Sequence, residues 1–198
     1  QFRDWLINKG MGKSTVKRVF SSIRSIINLA IKEHGLEGNN GFLGTFIPDG
    51  LRETTRKPIP VDVIRDIQKT CKEMDDDLRW LIALLSDTGM RLGEAVGLLK
   101  SDIILDIDTP HLNLVPHPWR RLKTSGSERK IPLVGASLWS TRRIKLSNPT
   151  NQFAFPRYCN EQSHNSNSAS AALNKWLRTH APEGCVIHSF RHSMRDRL

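Results

Sequence analysis

Arginine, lysine and histidine stand in this sequence at spacings that suit the binding of a phosphate group. In the segment Thr88–Ala95, Gly89 can adopt the positive φ that ends one helix, and Arg91 then lies where the next helix begins. A guanidinium beside the unpaired N–H groups of a helix start can bind two phosphate oxygens. Glu94, one turn later, can hold this arginine in place. Spacing alone favours a simpler interpretation, a surface i, i+3 ion pair worth roughly 0.2–0.5 kcal/mol.

Lys123 stands at the end of a strand-like run that leads into a glycine-containing turn. A lysine at a hairpin tip can donate a proton to a departing alkoxide. It can equally be an inert lysine that keeps a hairpin soluble. Further basic residues nearby, Arg120, Arg121, Arg129 and Lys130, dilute the signal. The sequence alone leaves both interpretations of Lys123 open.

His188 and Arg191 stand at i, i+3 spacing, which places the imidazole and the guanidinium on one helical face. Together they can meet one phosphate, the arginine as a charge clamp and the histidine as a hydrogen-bond donor or proton shuttle. His192 and Arg195 repeat the spacing one turn later, so the register stays open. His188 and His192 also stand at i, i+4 with Cys185 nearby. No third histidine or carboxylate completes a zinc site, and no metal is expected.

The sequence patterns that surround these residues predict a mainly helical fold with a small antiparallel sheet (α+β). Apolar residues recur at helical spacing from Ser14 to about His34, and Gly35 supplies a stop. Further helices are predicted over about 61–72 and 76–86, from a candidate N-cap at Ser168, and around His188. Strands are predicted at 111–115, 119–123 and 129–133, with a hairpin loop at 124–128.

The stretch from Gly35 to Pro60 is rich in Gly, Asn and Pro, which is typical of a linker. It also carries three basic residues, Arg52, Arg56 and Lys57. The sequence therefore predicts a small helical domain at 1–50, a linker at 51–60 and a larger domain at 61–198. The basic residues of the first domain's helix, Lys17, Arg18 and Arg24, either face solvent or meet DNA phosphates.

The charge balance indicates a polyanionic partner. Lys and Arg outnumber Asp and Glu by 30 to 20 in 198 residues, a formal net charge of +10, and such an excess suits nucleic acid or an acidic membrane surface. No apolar stretch approaches the ~18 residues that span a bilayer, and no secretory signal opens the chain. Three cysteines without CxxC spacing argue against a disulfide framework and favour a reducing cytoplasm.

The order of the motifs resembles the catalytic domain of the tyrosine recombinases, DNA strand-exchange enzymes of the phage-integrase type. Thr-Gly-x-Arg-x-x-Glu stands at Thr88–Glu94, Lys123 is followed by Arg-x-x-Pro-Leu at Arg129–Leu133, and His-x-x-Arg stands at His188–Arg191. The Phe155-Pro156 pair and the Leu173–Arg178 helix are also similar to that family, and Ser14–Leu36 resembles part of its core-binding domain. The resemblance covers nearly the whole chain. It implies that 1–50 is part of a helical core-binding (DNA-binding) domain and that 61–198 is a catalytic domain truncated at its C-terminus.

The resemblance implies site-specific recombination, the integration or excision of a phage or mobile element, through a 3′-phosphotyrosyl intermediate. Arg91 and Arg191 would clamp the scissile phosphate, and His188 would hydrogen-bond it and help to manage the nucleophile's proton. Lys123 would protonate the leaving 5′-oxygen, and Glu94 would buttress the site. The residues expected to contact DNA elsewhere are Lys17, Arg18, Arg24, Arg120, Arg121 and Arg129. The covalent link conserves the phosphodiester energy, so no cofactor is expected.

The family's nucleophilic tyrosine follows the His-x-x-Arg box, whereas this chain ends shortly after Arg191. Its only tyrosine, Tyr158, precedes the box and is expected to pack as an ordinary aromatic residue. We therefore expect a truncated, monomeric, cytoplasmic fragment of bacterial or phage origin that binds double-stranded DNA without cleaving it, and a homotetramer on DNA for the full-length protein.

Three other interpretations are a non-catalytic DNA-binding relative with a regulatory role, a type IB topoisomerase and a purely structural helical module. The last would leave the basic excess and the ordered Arg, Lys, His and Arg set as coincidence. The short length and the Thr-Gly-x-Arg-x-x-Glu motif argue against the topoisomerase.

Overall fold

The computed structural model describes residues 1–51 and 57–197. The chain divides into two compact units, Gln1–Thr55 and Arg56–Leu198. The elements are mainly helices with a three-stranded antiparallel sheet, so the predicted fold class is confirmed. Arg52 and Arg56 of the predicted linker lie outside the described residues. Within the described ranges, no helix is both long and apolar enough to cross a membrane.

The smaller unit contains α1 (Phe2–Asn8) and α2 (Lys13–His34). The predicted helix over 14–34 is confirmed as α2, which ends at Gly35 with a φ of +54°. The sequence did not predict α1, because seven residues are too few to show a helical period. The unit's small core consists of Leu6, Val16 and Phe20, with Ile7, Met11, Val19, Phe42 and Ile47 packed against it.

The larger unit begins with α3 (Val61–Met74), α4 (Asp77–Thr88) and the short α5 (Leu92–Val96). The side chain of Asp76 caps the start of α4 by accepting a hydrogen bond from the N–H of Arg79 at 3.0 Å. The residues of α4 from 81 to 86 are all buried, so this helix lies at the centre of the unit. The helices predicted over 61–72 and 76–86 are therefore confirmed, each extended by two residues at its C-terminal end.

The sheet has the strand order β1 (Ile103–Ile104), β2 (His111–Leu114), β3 (Arg129–Pro132). The predicted strand at 119–123 is wrong, because β3 pairs directly with β2, His111 lying opposite Pro132. Residues 119–123 lie in the connection between these strands, where a single bridge joins His117 and Arg120. The predicted hairpin loop at 124–128 is therefore part of a longer connection that contains a short 3₁₀ turn at Ser125–Ser127.

Three helices complete the larger unit, α6 (Gly135–Leu146), α7 (Ser166–Leu177) and α8 (Ser189–Arg197). The predicted N-cap Ser168 is wrong by three residues, because Asn165 caps α7 and accepts the N–H of Ser168 at 2.9 Å. Helix α8 also binds the segment that precedes α3. The Ser193 hydroxyl accepts the N–H of Ile59 at 2.7 Å and lies 3.0 Å from the carbonyl oxygen of the same residue.

Candidate active site

The turn between α4 and α5 brings Arg91 and Glu94 together. Gly89 ends α4 with a φ of +57°, and Arg91 is the N-cap residue of α5, as the sequence predicts. The Glu94 carboxylate accepts the main-chain N–H of Arg91 at 2.9 Å and its Nη1–H at 2.6 Å. Glu94 is only 5% exposed. The simpler interpretation, a surface ion pair, is therefore wrong.

Arg129 on β3 binds the same carboxylate. Its Nη2 lies 3.0 Å from Glu94 Oε2, and its Nη1 donates to the carbonyl of Ser127 at 2.8 Å. Burial alone would raise the pKa of Glu94, but the hydrogen bonds from Arg91 and Arg129 outweigh burial and hold this pKa below its usual 4.5. The carboxylate therefore stays ionised near neutral pH. Two guanidiniums around one carboxylate leave a net positive charge for an anion.

Helix α8 brings His188 and Arg191 to the end of α4. Arg191 lies in the first turn of α8, whereas His188 directly precedes the helix, so the prediction that this helix carries His188 is wrong by one residue. The Nη1 of Arg191 donates to the carbonyl of Gly89 at 2.7 Å, which fastens α8 to the residue that caps α4. The rings of His188 and His192 meet edge to face, with their centroids 5.2 Å apart. The two i, i+3 pairs of this segment thus share one region of the surface.

An open hollow of about 360 Å³ lies where the end of α4, strand β3 and helix α8 meet. Its lining is dominated by guanidinium and imidazole groups: Thr88, Gly89, Arg129, His188, Arg191, His192, Met194 and Arg195. Among these described lining residues, none carries a carboxylate. Converging donors with fixed positions can stabilise an anion that gains negative charge during a reaction. The hollow is therefore suited to a phosphodiester.

Residues 57–198 match the sequence model of the phage integrase family. The chain belongs to the phage integrase family. The match includes α3 to α8, the sheet and every residue that lines the hollow. No curated protein matches this integrase-family chain in sequence.

Solved integrase structures share the fold of this phage integrase family member. The Tn1549 transposon integrase, in complex with circular intermediate DNA, is 17% identical, with a TM-score of 0.72 over 100% of this chain and 70% of that chain. A lambda integrase dimer bound to a COC′ core site is 16% identical, with a TM-score of 0.67 over 98% and 69%. XerA recombinase is 14% identical, with a TM-score of 0.51 over 98% and 64%. The chain therefore has the tyrosine recombinase fold.

The hollow is lined by two of the four predicted catalytic residues of this integrase-family chain. His188 and Arg191 line it directly, and Arg91 is joined through Glu94 to the lining residue Arg129. Lys123 is exposed in the connection between β2 and β3 and is not among the described residues that line the hollow. Its proposed role as a proton donor stays a prediction.

The six residues expected to contact DNA fall into three groups. Lys17, Arg18 and Arg121 are exposed. Arg24 and Arg129 are half-buried, and Arg129 lines the hollow. The prediction for Arg120 is wrong, because its side chain is 1% exposed and donates to the carbonyls of Glu94 and Val115. A guanidinium enclosed in this way cannot reach a DNA phosphate.

Sequence reasoning missed three features of the hollow. Met194 lines the hollow without any signal in the sequence, since it enters only through the packing of α8 on α4, and Thr88 belongs to the Thr-Gly-x-Arg-x-x-Glu motif but was not expected to line the site. Arg129 was expected only as a DNA contact, although it is also a partner of Glu94. His192 and Arg195 were noted as a repeat of the motif spacing, and both line the hollow. That repeat was the signal that could have identified them.

Tyr158 is buried in the larger unit. It is 6% exposed, and its hydroxyl has no hydrogen-bond partner within the described part of the chain. Burial raises the pKa of Tyr158 against the opposing effect of Arg157. It is also not among the described residues that line the hollow. The same part of the chain holds no group of three His, Cys, Asp or Glu residues that could bind a metal ion.

Proposed function

We propose that this chain takes part in site-specific DNA recombination and binds the scissile phosphate in the hollow between α4, β3 and α8. The observation that carries the proposal is the convergence of Arg129, His188 and Arg191 on one hollow, with Arg91 tied to it through Glu94. Membership of the phage integrase family supports the same reaction class. The non-catalytic alternative gains no support from these observations.

In the proposed reaction, a tyrosine hydroxyl oxygen attacks the phosphorus and the DNA 5′-oxygen leaves. A 3′-phosphotyrosyl bond forms as the 5′ P–O bond breaks. Arg191 and Arg91 offset the negative charge that grows on the non-bridging oxygens. His188 hydrogen-bonds the phosphate and helps to take up the proton of the tyrosine hydroxyl, and Lys123 gives a proton to the leaving oxygen. Attack by a 5′-hydroxyl of another strand reverses the step, so neither an external energy source nor an oxidant enters the balance.

We propose that Tyr158 is not this nucleophile. An attacking phenol must reach phosphorus and lose its proton, whereas burial encloses Tyr158 and raises its pKa. The 198-residue chain should therefore bind DNA without forming a covalent adduct. The tyrosine would come from a part of the integrase outside these residues.

We further propose double-stranded DNA of a phage or mobile element as the partner, and the cytoplasm as the place of action. The integrases with the same fold include one from a transposon in complex with circular intermediate DNA and a lambda integrase tetramer bound to a Holliday junction. A complete integrase of this kind would act as a homotetramer on DNA. The 198-residue chain alone would be a monomer.

The test uses fluorescence anisotropy with a labelled DNA duplex. Affinity should fall steeply with salt, because Lys and Arg displace condensed counterions, and log K should fall by about 0.9 per log unit of salt for each phosphate contacted. Arg191→Ala should weaken binding, whereas Arg178→Ala, an exposed arginine outside the hollow lining, is the matched control. A flat salt response, or equal affinities for the two variants, would contradict phosphate binding in the hollow.

A second experiment tests Tyr158 directly. The chain is incubated with a nicked suicide duplex, which traps a phosphotyrosyl adduct by losing the departing strand. We expect no band shift on a denaturing gel. An adduct that disappears in Tyr158→Phe would show that Tyr158 does attack DNA.

A further inference from the structure

Arg120 is the largest fully buried side chain in the described part of the larger unit. Its Nη1 donates to the main-chain carbonyl of Glu94 at 2.7 Å, and its Nη2 donates to that of Val115. Its Nε has no hydrogen-bond partner within the described residues. A buried charge with one N–H unsatisfied is a poor way to stabilise a core, since an apolar side chain of similar size often does so equally well. Another role would explain why a guanidinium is buried here.

The position of the Glu94 carbonyl indicates that role. Helix α5 has five residues, too few for a stable isolated helix, and the carbonyls of its last turn lack partners within the helix. Arg120 supplies the donor for one of them. The carboxylate of the same Glu94 receives Arg91 and Arg129. Glu94 is thus held by Arg120 through its main chain and by two arginines of the site through its side chain.

Gly97 shows how closely Arg120 is fitted to the end of α5. A Cβ at this position would lie 2.6 Å from Arg120 Cδ and 2.9 Å from its Cβ. The φ of Gly97 is −87°, so the glycine is required for space and not for backbone conformation. The indole N–H of the adjacent Trp119 donates to the Gly97 carbonyl at 3.1 Å. Two consecutive side chains therefore hold the residue that follows α5.

Asp102 supplies the countercharge for Arg120. Its Oδ2 lies 4.0 Å from Arg120 Nη2 and 2.9 Å from His117 Nε2, and it accepts the N–H of Leu99 at 2.9 Å. Asp102 is buried, so the attraction is weakly screened. His117 stacks on Trp119 with their ring centroids 4.9 Å apart. Asp102, which is itself held by His117 and Leu99, therefore helps to fix the position of the Arg120 guanidinium.

We propose that Arg120 is a positioning residue for phosphate binding, acting through Glu94 to align Arg91 and Arg129. The inference rests on the proposed function, because it assigns Arg120 to the same site. Arg120 is not among the described residues that line the hollow, so its effect on the phosphate is indirect. Without it, α5 can shift and the Glu94 carboxylate no longer orients both guanidiniums.

The test separates positioning from simple support of the fold. Arg120→Met retains the side-chain bulk without the donors, and Gly97→Ala pushes the Arg120 stem without removing a donor. If Arg120→Met does not fold, Arg120→Lys, which keeps the positive charge, is measured in its place. The matched controls are Arg178→Met, at an exposed arginine outside both the hollow lining and the expected DNA contacts, and Gly41→Ala, where an added Cβ meets nothing within 4 Å.

Two measurements are made on each folded variant of the 198-residue chain. The first is duplex DNA affinity with and without Arg91→Ala. In wild type and in both controls, Arg91→Ala should weaken binding about tenfold, the loss expected for one charged hydrogen bond. In Arg120→Met and Gly97→Ala the same change should cost less than about threefold, because Arg91 is already misaligned. The second is the NMR signals of the Arg91 and Arg129 guanidinium N–H groups, which should move in these two variants and stay in place in the controls.

Equal costs of Arg91→Ala in every background, with unmoved guanidinium signals, would show that Arg120 only supports the fold. The signals need no DNA, so they decide the role of Arg120 independently. If no variant binds DNA, the proposed function fails. Unmoved signals with normal binding overturn the positioning role alone.

Discussion

Replacing Gly89 with alanine should destabilise the larger unit by about 2–5 kcal/mol, from two physical sources. A non-glycine residue at a φ of +57° is strained by about 1–2 kcal/mol. The added Cβ would also lie 2.9 Å from both Cβ and Cγ of Met194. Because α8 packs on α4 at this point, relieving that overlap shifts the helix that carries Arg191, at a cost of about 1–3 kcal/mol.

Urea unfolding followed by tryptophan fluorescence measures this loss. Gly184→Ala is the matched control, since Gly184 has a φ of +85° in the same unit but an added Cβ meets nothing within 4 Å. The control should lose only the strain, about 1–2 kcal/mol. In a Met194→Ala background, Gly89→Ala should cost less, because the contact with Cγ is gone. Equal losses for the two glycine variants, unaffected by Met194→Ala, would refute the packing argument.

The remaining predictions concern the charged groups of the hollow. Glu94→Gln should lower the free energy of unfolding by about 1–3 kcal/mol, because it leaves two guanidiniums around a neutral amide; urea midpoints equal to those of the exposed control Glu183→Gln would contradict this. Since the folded pKa of Glu94 lies below its usual 4.5, its stabilising effect is complete above pH 4.5 and is lost as the pH falls through the folded pKa. The gap in urea midpoint between wild type and Glu94→Gln should therefore close in acid, and a constant gap down to about pH 3 would oppose the assignment. In a longer polypeptide that contains the attacking tyrosine, Arg191→Ala should slow DNA cleavage by roughly 10²–10³-fold, and a loss under about threefold would remove Arg191 from the site.

The helices were predictable where the apolar period and the stop signals agreed. Helix α2 has a long amphipathic pattern and a terminal Gly35, and α4 has a capping aspartate and a terminal Gly89. The run at 119–123 failed because the period of a short segment does not reveal its pairing partner. Strand β3 pairs with β2, and that register depends on contacts between distant residues.

The site was predictable as a set of residue types but not as a set of contacts. The spacing of Arg91 and Glu94 indicated an ion pair, yet burial of the carboxylate and its second partner Arg129 arise only from packing. Arg120 and Arg121 are equally basic neighbours, and nothing local distinguishes the buried one from the exposed one. Arg120 is buried because its side chain packs beside Gly97, where no Cβ takes up the space, and only the tertiary fold brings these two residues together.

The hydrogen bonds between Ser193 and Ile59 have a consequence for how the protein acquires its shape during synthesis. They join the first described segment of the larger unit to its last helix, across 134 positions of the chain. Contacts this distant in sequence form late, since the intervening polypeptide must first be ordered. A ribosome-bound chain that has not yet released α8 therefore lacks both this closure and half of the hollow's lining.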